Sequence, residues 1–380
     1  MVTAIVVATI AWWSSLSLVV DAWRPPREEL ADALQTALTR RWDAQELDPS
    51  AIERARNPEW DFMSRTFLVL ALANDALARP DASEANLEVI DRVIERTLAE
   101  EREHGQRWFL LPYVDRSPFV DESGRSVFVD GEIALMLAAR NVVAPDDAQM
   151  MELRARARVI EAQMKRGPIL SAESYPDEAW VFCNTTALAA LKAADTALGT
   201  DHEELIDDWL VIAREHLVDP RSGLLVSSFT LDGAILDGPE GSSLWMTAHN
   251  LLLLDPVLAR AQYEAGKNAL VSGFAGFAWA DEWPSESAFA DRQSLDVDSG
   301  GVIPLLGASA GSSGMLILAA AAFADDDLLD ALMRSLELGA FPIERGGGTE
   351  YAAAGVIGST VALYALRFGP LWDRIQETPA

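Results

Sequence analysis

The chain has 380 residues with 59 acidic and 30 basic side chains, which gives a formal net charge of −29. This balance excludes nucleic acid as a partner, because phosphate binding requires a basic surface. A single cysteine excludes an internal disulfide framework, and the four histidines lack ligand spacing, so we expect no metal and no cofactor.

The first 20 residues carry no charged side chain, and about 20 apolar residues suffice to span a bilayer core. Pro25 and Pro26 end this run. A cleaved signal peptide would have a basic segment before the run, and none is present, which favours an uncleaved anchor. We therefore expect a single-pass anchor helix over 1–23 and a domain over 27–380. The sequence does not decide on which side of the membrane the domain lies. The sequence leaves homo-oligomer formation open.

Apolar residues recur at helical spacing along the rest of the chain. The predicted helices cover residues 27–42, 61–78, 84–102, 131–139, 145–165, 185–198, 202–217, 244–254, 256–270, 311–323, 325–338 and 349–368. Nearly apolar helices alternate with charged ones, which indicates two concentric layers. Six such pairs in a ring would form an all-α (α/α)6 barrel. A stacked superhelix is the alternative, but no fixed repeat length supports it.

Four long connections separate these helices, over residues 106–130, 167–184, 219–243 and 273–310. Long loops within a compact domain are usually functional or disordered, and the aromatic content of these loops argues against disorder. The alternating segment 222–236 predicts a β-hairpin with its turn at Asp232 and Gly233. We expect such loops to cover one mouth of the ring.

Three positions are candidates for catalysis. Cys183 precedes a predicted helix, whose dipole would favour a thiolate, although most free cysteines are small buried side chains. Glu132 lies in a first helical turn, either as an acid or base or as a residue that stabilises the dipole. Asp61 shares a helix face with Arg65, so the two form either a site for substrate or an ordinary ion pair.

Polar and aromatic residues near helix starts are candidates for substrate binding. The segment before the helix at 185 contributes Ser174, Tyr175, Asp177, Trp180 and Asn184. Trp245 and His249 mark another such start, although a lone histidine is often a core residue. Asp298 belongs to a loop in which acidic residues alternate with tryptophan, a pattern typical of sugar-binding pockets. The alternative interpretation is an acidic loop that is simply exposed to solvent.

Glu132, Ser174 and Cys183 together resemble the linalool dehydratase/isomerase family. That pattern has a histidine on a G-x-L-L-L-M type helix, followed by two cysteines nine residues apart. Here Glu132, on a G-x-x-A-L-M helix, replaces the histidine, Ser174 replaces the first cysteine, and Cys183 matches the second at the same spacing. The resemblance covers residues 61–198 and implies an (α/α)6 barrel with a pocket for a small terpene alcohol.

The resemblance implies a cofactor-independent lyase or isomerase that acts on a small, largely apolar alcohol, with Glu132 and Cys183 as proton carriers. One alternative is a carbohydrate-active enzyme that uses a pair of carboxylates. Its candidate carboxylates are Asp177, Glu178, Asp281 and Asp298. Another is a non-catalytic, membrane-tethered binding protein, because the histidine and one cysteine of the family pattern are replaced.

Overall fold

The computed structural model describes residues 2–43, 51–292 and 307–377, and these are mostly helical. The helices are α1 (Val2–Trp23), α2 (Arg27–Asp43), α3 (Ala51–Arg56), α4 (Pro58–Ala78), α5 (Ser83–His104), α6 (Val127–Val143), α7 (Asp147–Met164), α8 (Val181–Leu198), α9 (Glu203–His216), α10 (Gly241–Leu254), α11 (Pro256–Leu270), α12 (Ala310–Ala322), α13 (Asp326–Gly339), α14 (Gly355–Arg367) and α15 (Pro370–Gln376). The strands are β1 (Ala179–Trp180), β2 (Ser228–Phe229), β3 (Ile235–Asp237), β4 (Val271–Phe274), β5 (Phe277–Ala280), β6 (Pro342–Arg345) and β7 (Gly348–Tyr351). The helical character predicted from the periodicity is therefore confirmed.

Six helices form a closed inner ring. Helix α4 contacts α6, and the contacts continue through α8, α10 and α12 to α14, which returns to α4. Helices α5, α7, α11 and α13 pack on this ring from outside, and α2 covers α14. The inner helices are buried on nearly every face, as α6 shows, whereas α13 buries only one apolar stripe. Burial of the apolar inner faces is thus what holds the ring together.

Short hairpins decorate the helical framework. The predicted turn at Gly233, with a φ of 92°, joins β2 to β3, and β1 adds to them as a third strand. Residues 349–351 were predicted to be helical but belong to β7, which pairs with β6. Gly346 and Gly347 have φ values of 60° and 84°, and two such residues favour a tight hairpin turn over a helix.

Helix α1 packs against the outer layer. Arg24 Nη2 lies 3.0 Å from Asp330 Oδ1, and Arg334 Nε lies 2.7 Å from Asp21 Oδ1. These ion pairs dock the end of α1 on α13. Among the described residues no helix is both long and apolar enough to cross a membrane. The predicted transmembrane helix is therefore not supported, while the membrane partner and the location of the chain stay predictions.

Helix α15 closes one end of the ring. It contacts α4, α6, α8 and α10, which places it across the ring rather than beside a single helix. The Leu371 backbone N–H donates to Asn74 Oδ1 at 3.0 Å, and Trp372 is buried. The opposite end of the ring is where a cavity remains.

Candidate active site

A cavity of about 1170 Å³ occupies the open end of the ring. Its wall includes a residue from the first turn of every inner helix: Glu59, Phe128, Cys183, Ser243, Gly311 and Ile357. Six helix N-termini therefore meet at the cavity. The positive ends of their dipoles favour negatively charged groups there.

A tight turn carries two of the cavity residues. The Glu178 backbone N–H donates to the Tyr175 carbonyl at 2.9 Å, and Asp177 has a φ of 55°. Pro176 at the second position and a positive φ at the third are features of a type II turn. The turn sets Tyr175 and Glu178 side by side on the cavity wall. Asp177, predicted to bind substrate, is not part of that wall, and its N–H donates to Glu173.

Tyr175 and Glu59 form a hydrogen-bonded pair. The Tyr175 hydroxyl donates to Glu59 Oε1 at 2.5 Å and accepts the Leu111 backbone N–H at 2.8 Å. Burial and the nearby Glu59 carboxyl raise the pKa of Tyr175, so the phenol keeps its proton. The Tyr113 ring stacks on Tyr175 with centroids 4.2 Å apart, which fixes the pair in the wall.

Glu178 is held by two aromatic side chains. The Tyr113 hydroxyl donates to Glu178 Oε1 at 3.3 Å, and the Trp180 indole N–H donates to the same oxygen. Trp180, which was predicted to bind substrate, lines the cavity. Tyr113 therefore connects the Glu59 and Glu178 sides of the site.

Cys183 lies in the first turn of α8 and lines the cavity, with 5% of its surface exposed. The Ser174 hydroxyl hydrogen-bonds to it. Burial raises the pKa of Cys183 well above its usual value, and the carboxyls of Glu59, Glu132 and Glu178 raise it further. The prediction that the helix dipole would favour a thiolate is wrong, because burial and negative neighbours outweigh the dipole. Cys183 is a neutral thiol.

Glu132 is 1% exposed and does not belong to the cavity wall. Burial raises its pKa to about 7, although a hydrogen bond with Thr66 acts in the opposite direction. The carboxyl is near enough to Cys183 to raise the pKa of the thiol. Near neutral pH the Glu132 side chain therefore exists in both protonation states.

The Glu132→Gln variant is expected to be more stable than the wild type above pH 7 and equally stable near pH 4. The unfolded carboxyl releases its proton near pH 4.5 and the folded one near pH 7. Stability conferred by the neutral carboxyl is therefore complete below pH 4.5 and is lost as the pH rises to about 7. A shift of this size corresponds to about 3 kcal/mol.

Thermal unfolding of both proteins at pH 4 and pH 8 measures this difference. Glu103→Gln is the control, because the Glu103 side chain is 73% exposed on α5. The Glu103→Gln variant is expected to change the stability little, and by the same amount at pH 4 and pH 8. A Glu132→Gln effect that does not vary with pH would contradict the buried-acid assignment.

Asp61 and Arg65, predicted as catalytic and substrate-binding residues, are not part of the cavity wall. Arg65 is 1% exposed, and its guanidinium lies 2.7 Å from Asp61 Oδ2 and 2.7 Å from Glu100 Oε2. This buried ion network joins α4 to α5. The ordinary ion pair is thus the interpretation that the geometry supports.

Two other predicted binding residues hold the framework. Asn184 Nδ2 donates to the Ala172 carbonyl at 3.1 Å and Asn184 Oδ1 accepts the Ala172 N–H at 2.8 Å, which fastens the loop to α8. The Trp245 indole N–H donates to Ser312 Oγ at 3.0 Å and joins α10 to α12. Neither side chain belongs to the cavity wall.

His249 lies away from the cavity wall, beside α15. Its Nε2 is 3.0 Å from the Tyr364 hydroxyl, and its ring centroid is 4.8 Å from that of Trp372. Burial lowers its pKa to about 4, so the imidazole is neutral. His249 is therefore a core histidine rather than a ligand of the pocket. Asp298 lies outside the described residues.

Two residues of the site, Glu59 and Tyr113, were not among the predicted site residues. A local signal exists for Glu59, because Asn57 accepts hydrogen bonds as an N-cap and Pro58 follows. That pattern places Glu59 in the first turn, at the rim of the ring. Tyr113 lies in a loop with no comparable signal. Glu178 was predicted only for a sugar site.

A closed ring of helices with a large cavity at the N-terminal rim defines a toroidal protein with an enzyme-like pocket. The family model described as linalool dehydratase/isomerase matches residues 150–356, more than half of the chain. The chain belongs to the linalool dehydratase/isomerase family, which confirms the prediction. The match contains Ser174 and Cys183 and begins beyond Glu132.

Two solved structures are similar over most of the chain. D-mannose isomerase shows 12% identity and a TM-score of 0.49 over 80% of this chain and 86% of its own. The GH76 α-mannanase of Bacteroides thetaiotaomicron shows 10% identity and a TM-score of 0.45, over 83% of this chain and 87% of its own.

Proposed function

We propose that this chain is a cofactor-independent lyase or isomerase on an (α/α)6 barrel, which removes or relocates the hydroxyl group of a largely apolar alcohol. The observation that carries the proposal is the convergence of Cys183, the Tyr175–Glu59 pair and Glu178 at one end of the large cavity. Membership of the linalool dehydratase/isomerase family supports this reaction class.

Loss of a hydroxyl group requires a proton for the departing oxygen. Cys183 presents a neutral thiol to the cavity, and the buried Glu132 has a pKa of about 7. The thiol proton passes to the hydroxyl oxygen, the C–O bond breaks with its electrons going to oxygen, and water leaves. Glu132 then returns a proton to the sulfur. Tyr175 and Glu59 hold the hydroxyl group in place.

The second proton transfer forms the double bond. Breaking the C–O bond leaves a carbocation on the substrate. Glu178, held by Tyr113 and Trp180, takes a proton from the carbon next to the cationic carbon. The electrons of that C–H bond become the new C=C bond, so an alcohol gives an alkene and water. Glu178 then releases its proton to solvent, and Glu132 takes up a proton from solvent, which restores both groups. In the isomerase mode, water adds back at the other end of an allylic system.

A glycan-processing enzyme is the second candidate. The cavity wall includes four tryptophans and several carboxylates, which suit stacking on sugar rings. These residues are Trp60, Trp180, Trp279, Trp283, Glu59, Glu178, Asp237 and Glu240. Asp177 and Asp281, also predicted for this function, are absent from the wall. A binding protein without catalysis is the third candidate, and it would bind an alcohol without converting it.

Purified protein without added metal or coenzyme tests the proposal. We expect tertiary and primary allylic alcohols to yield dienes or rearranged alcohols, detected by gas chromatography, and mannans and mannosides to release no reducing sugar. Release of sugar without alcohol conversion would favour the second candidate. Saturable alcohol binding without product would favour the third.

Tyr175→Phe is expected to raise KM for the alcohol about tenfold, because Glu59 loses the charge-assisted hydrogen bond that positions it. Tyr263→Phe is the matched control. The Tyr263 hydroxyl also donates to a carboxylate, Asp325, but Tyr263 lies outside the cavity wall. Steady-state kinetics of both variants measures the effect, and equal KM values in the two would argue against the proposed role of Tyr175.

A further inference from the structure

The cavity continues beyond its polar end into an apolar arm. The residues that define the arm are Phe277 and Ala278 of β5, Leu332 and Leu336 of α13, and Ile357 and Val361 of α14. Helix α13 belongs to the outer layer, so this part of the cavity wall reaches from the inner ring to the outer layer. Small residues on α12, including Ser313 and Gly314, belong to the same wall. Such small side chains leave room for the arm.

The arm presents little that could bind a polar ligand. The Ser335 hydroxyl donates to the Ala278 carbonyl at 2.7 Å, and the Ser313 hydroxyl donates to the Ala280 carbonyl at 3.3 Å. Both hydroxyls are thus engaged by the backbone of β5. None of the six residues that define the arm is ionisable. Hydrocarbon is the chemistry that gains free energy by entering such a space.

The size of the cavity sets an upper bound on the size of the ligand. Pockets for drug-sized ligands have volumes of about 300–1,000 Å³. The present cavity, of about 1170 Å³, is larger than a compact monoterpene alcohol such as linalool requires. Phe274 and Leu338 also line it and are 47% and 39% exposed, which marks an opening to solvent.

We propose that the substrate is a long-chain allylic alcohol, whose hydroxyl group binds beside Cys183 and Glu178 and whose hydrocarbon tail fills the apolar arm. This inference rests on the proposed function for the reaction at the polar end. It adds the substrate class, which is an isoprenoid or similar lipophilic alcohol longer than a monoterpene.

Linalool, nerolidol and geranyllinalool test the inference, because they share one head group and differ by successive isoprene units in the tail. Each buried methylene improves affinity about fourfold at most. We expect kcat/KM of the wild type to rise about tenfold or more from linalool to nerolidol. A preference for linalool, or equal values for the three alcohols, would overturn the inference.

Gly314 offers a way to fill the arm without disturbing the polar end. A Cβ atom built on Gly314 meets no atom within 4 Å. Leucine is also a better helix former than glycine, so Gly314→Leu is expected to fold. We expect it to lower kcat/KM for geranyllinalool about tenfold or more and to lower that for linalool by a smaller factor. Gly314→Ala is the graded control, and an equal loss on every alcohol would contradict the arm as the tail site.

A binding experiment separates the failure of the reaction from the failure of the arm. If none of the three alcohols is converted, the proposed function fails. Quenching of Trp279 and Trp283, which line the cavity, then reports binding of the same alcohols. Affinity that rises with tail length and falls in Gly314→Leu supports a long-chain ligand. Affinity independent of tail length overturns it.

Discussion

Cys183→Ala is expected to lower kcat for loss of the hydroxyl group by about 100- to 10,000-fold, the range that general acid catalysis contributes. Cys183 lines the cavity and is the proposed acid, so its removal leaves the departing oxygen without a proton donor. KM should change much less, because the Tyr175–Glu59 pair and the apolar wall remain. Single-turnover kinetics with a reactive allylic alcohol measures the chemical step directly.

Thr185→Ala is the matched control for this variant. Thr185 lies on the same helix and is buried, but its hydroxyl donates to the Phe182 carbonyl and it is absent from the cavity wall. We expect its kcat to stay near that of the wild type. A Cys183→Ala protein that retains full activity would exclude the thiol as the acid.

Arg65→Met is expected to lower the free energy of unfolding by about 3–5 kcal/mol, because two buried carboxylates lose the counter-charge that they share. Arg65 is 1% exposed and lies 2.7 Å from both Asp61 and Glu100. Urea unfolding followed by circular dichroism measures the loss. Lys165→Met breaks a surface pair with Glu161 and should cost less than about 1 kcal/mol.

A triple variant separates structure from catalysis at this network. Asp61→Leu, Arg65→Met and Glu100→Leu together remove the three buried charges and leave Arg96, whose side chain is 51% exposed, in contact with solvent. Replacement of buried charges by apolar side chains is often nearly neutral. We expect stability to return and alcohol conversion to be unchanged. Loss of activity in the stable triple variant would restore a catalytic role for Asp61.

The helices were predictable because their apolar periodicity is strong and long. The boundaries were less predictable, since helix starts depend on capping: α8 begins at Val181, so that Cys183 lies inside the helix rather than before it. The hairpin of β6 and β7 was missed because its turn glycines lie beside a strongly helical pattern. Capping residues and turn glycines determined these boundaries, whereas the hydrophobic pattern indicates only that a segment is helical.

Part of the site could be predicted from the sequence because two of its residues lie on helices that pack directly on each other. Cys183, Ser174 and Glu132 come together because α6 packs directly on α8, with the Gly131 backbone close to Ala187. Glu59 and Tyr113 join them only through the closed ring and the stacking on Tyr175, which no local pattern encodes. The burial that makes Cys183 a neutral thiol is likewise a property of the assembled ring rather than of its helix.

The contact between α4 and α14 that closes the ring has a consequence for biosynthesis. Residues 79–354 lie between these helices. At about 5–20 residues per second on a ribosome, α4 waits on the order of tens of seconds before its last neighbour has been synthesised. Its apolar surface toward α14 stays uncovered throughout that interval. Helix α4 is therefore expected to need a chaperone during this interval.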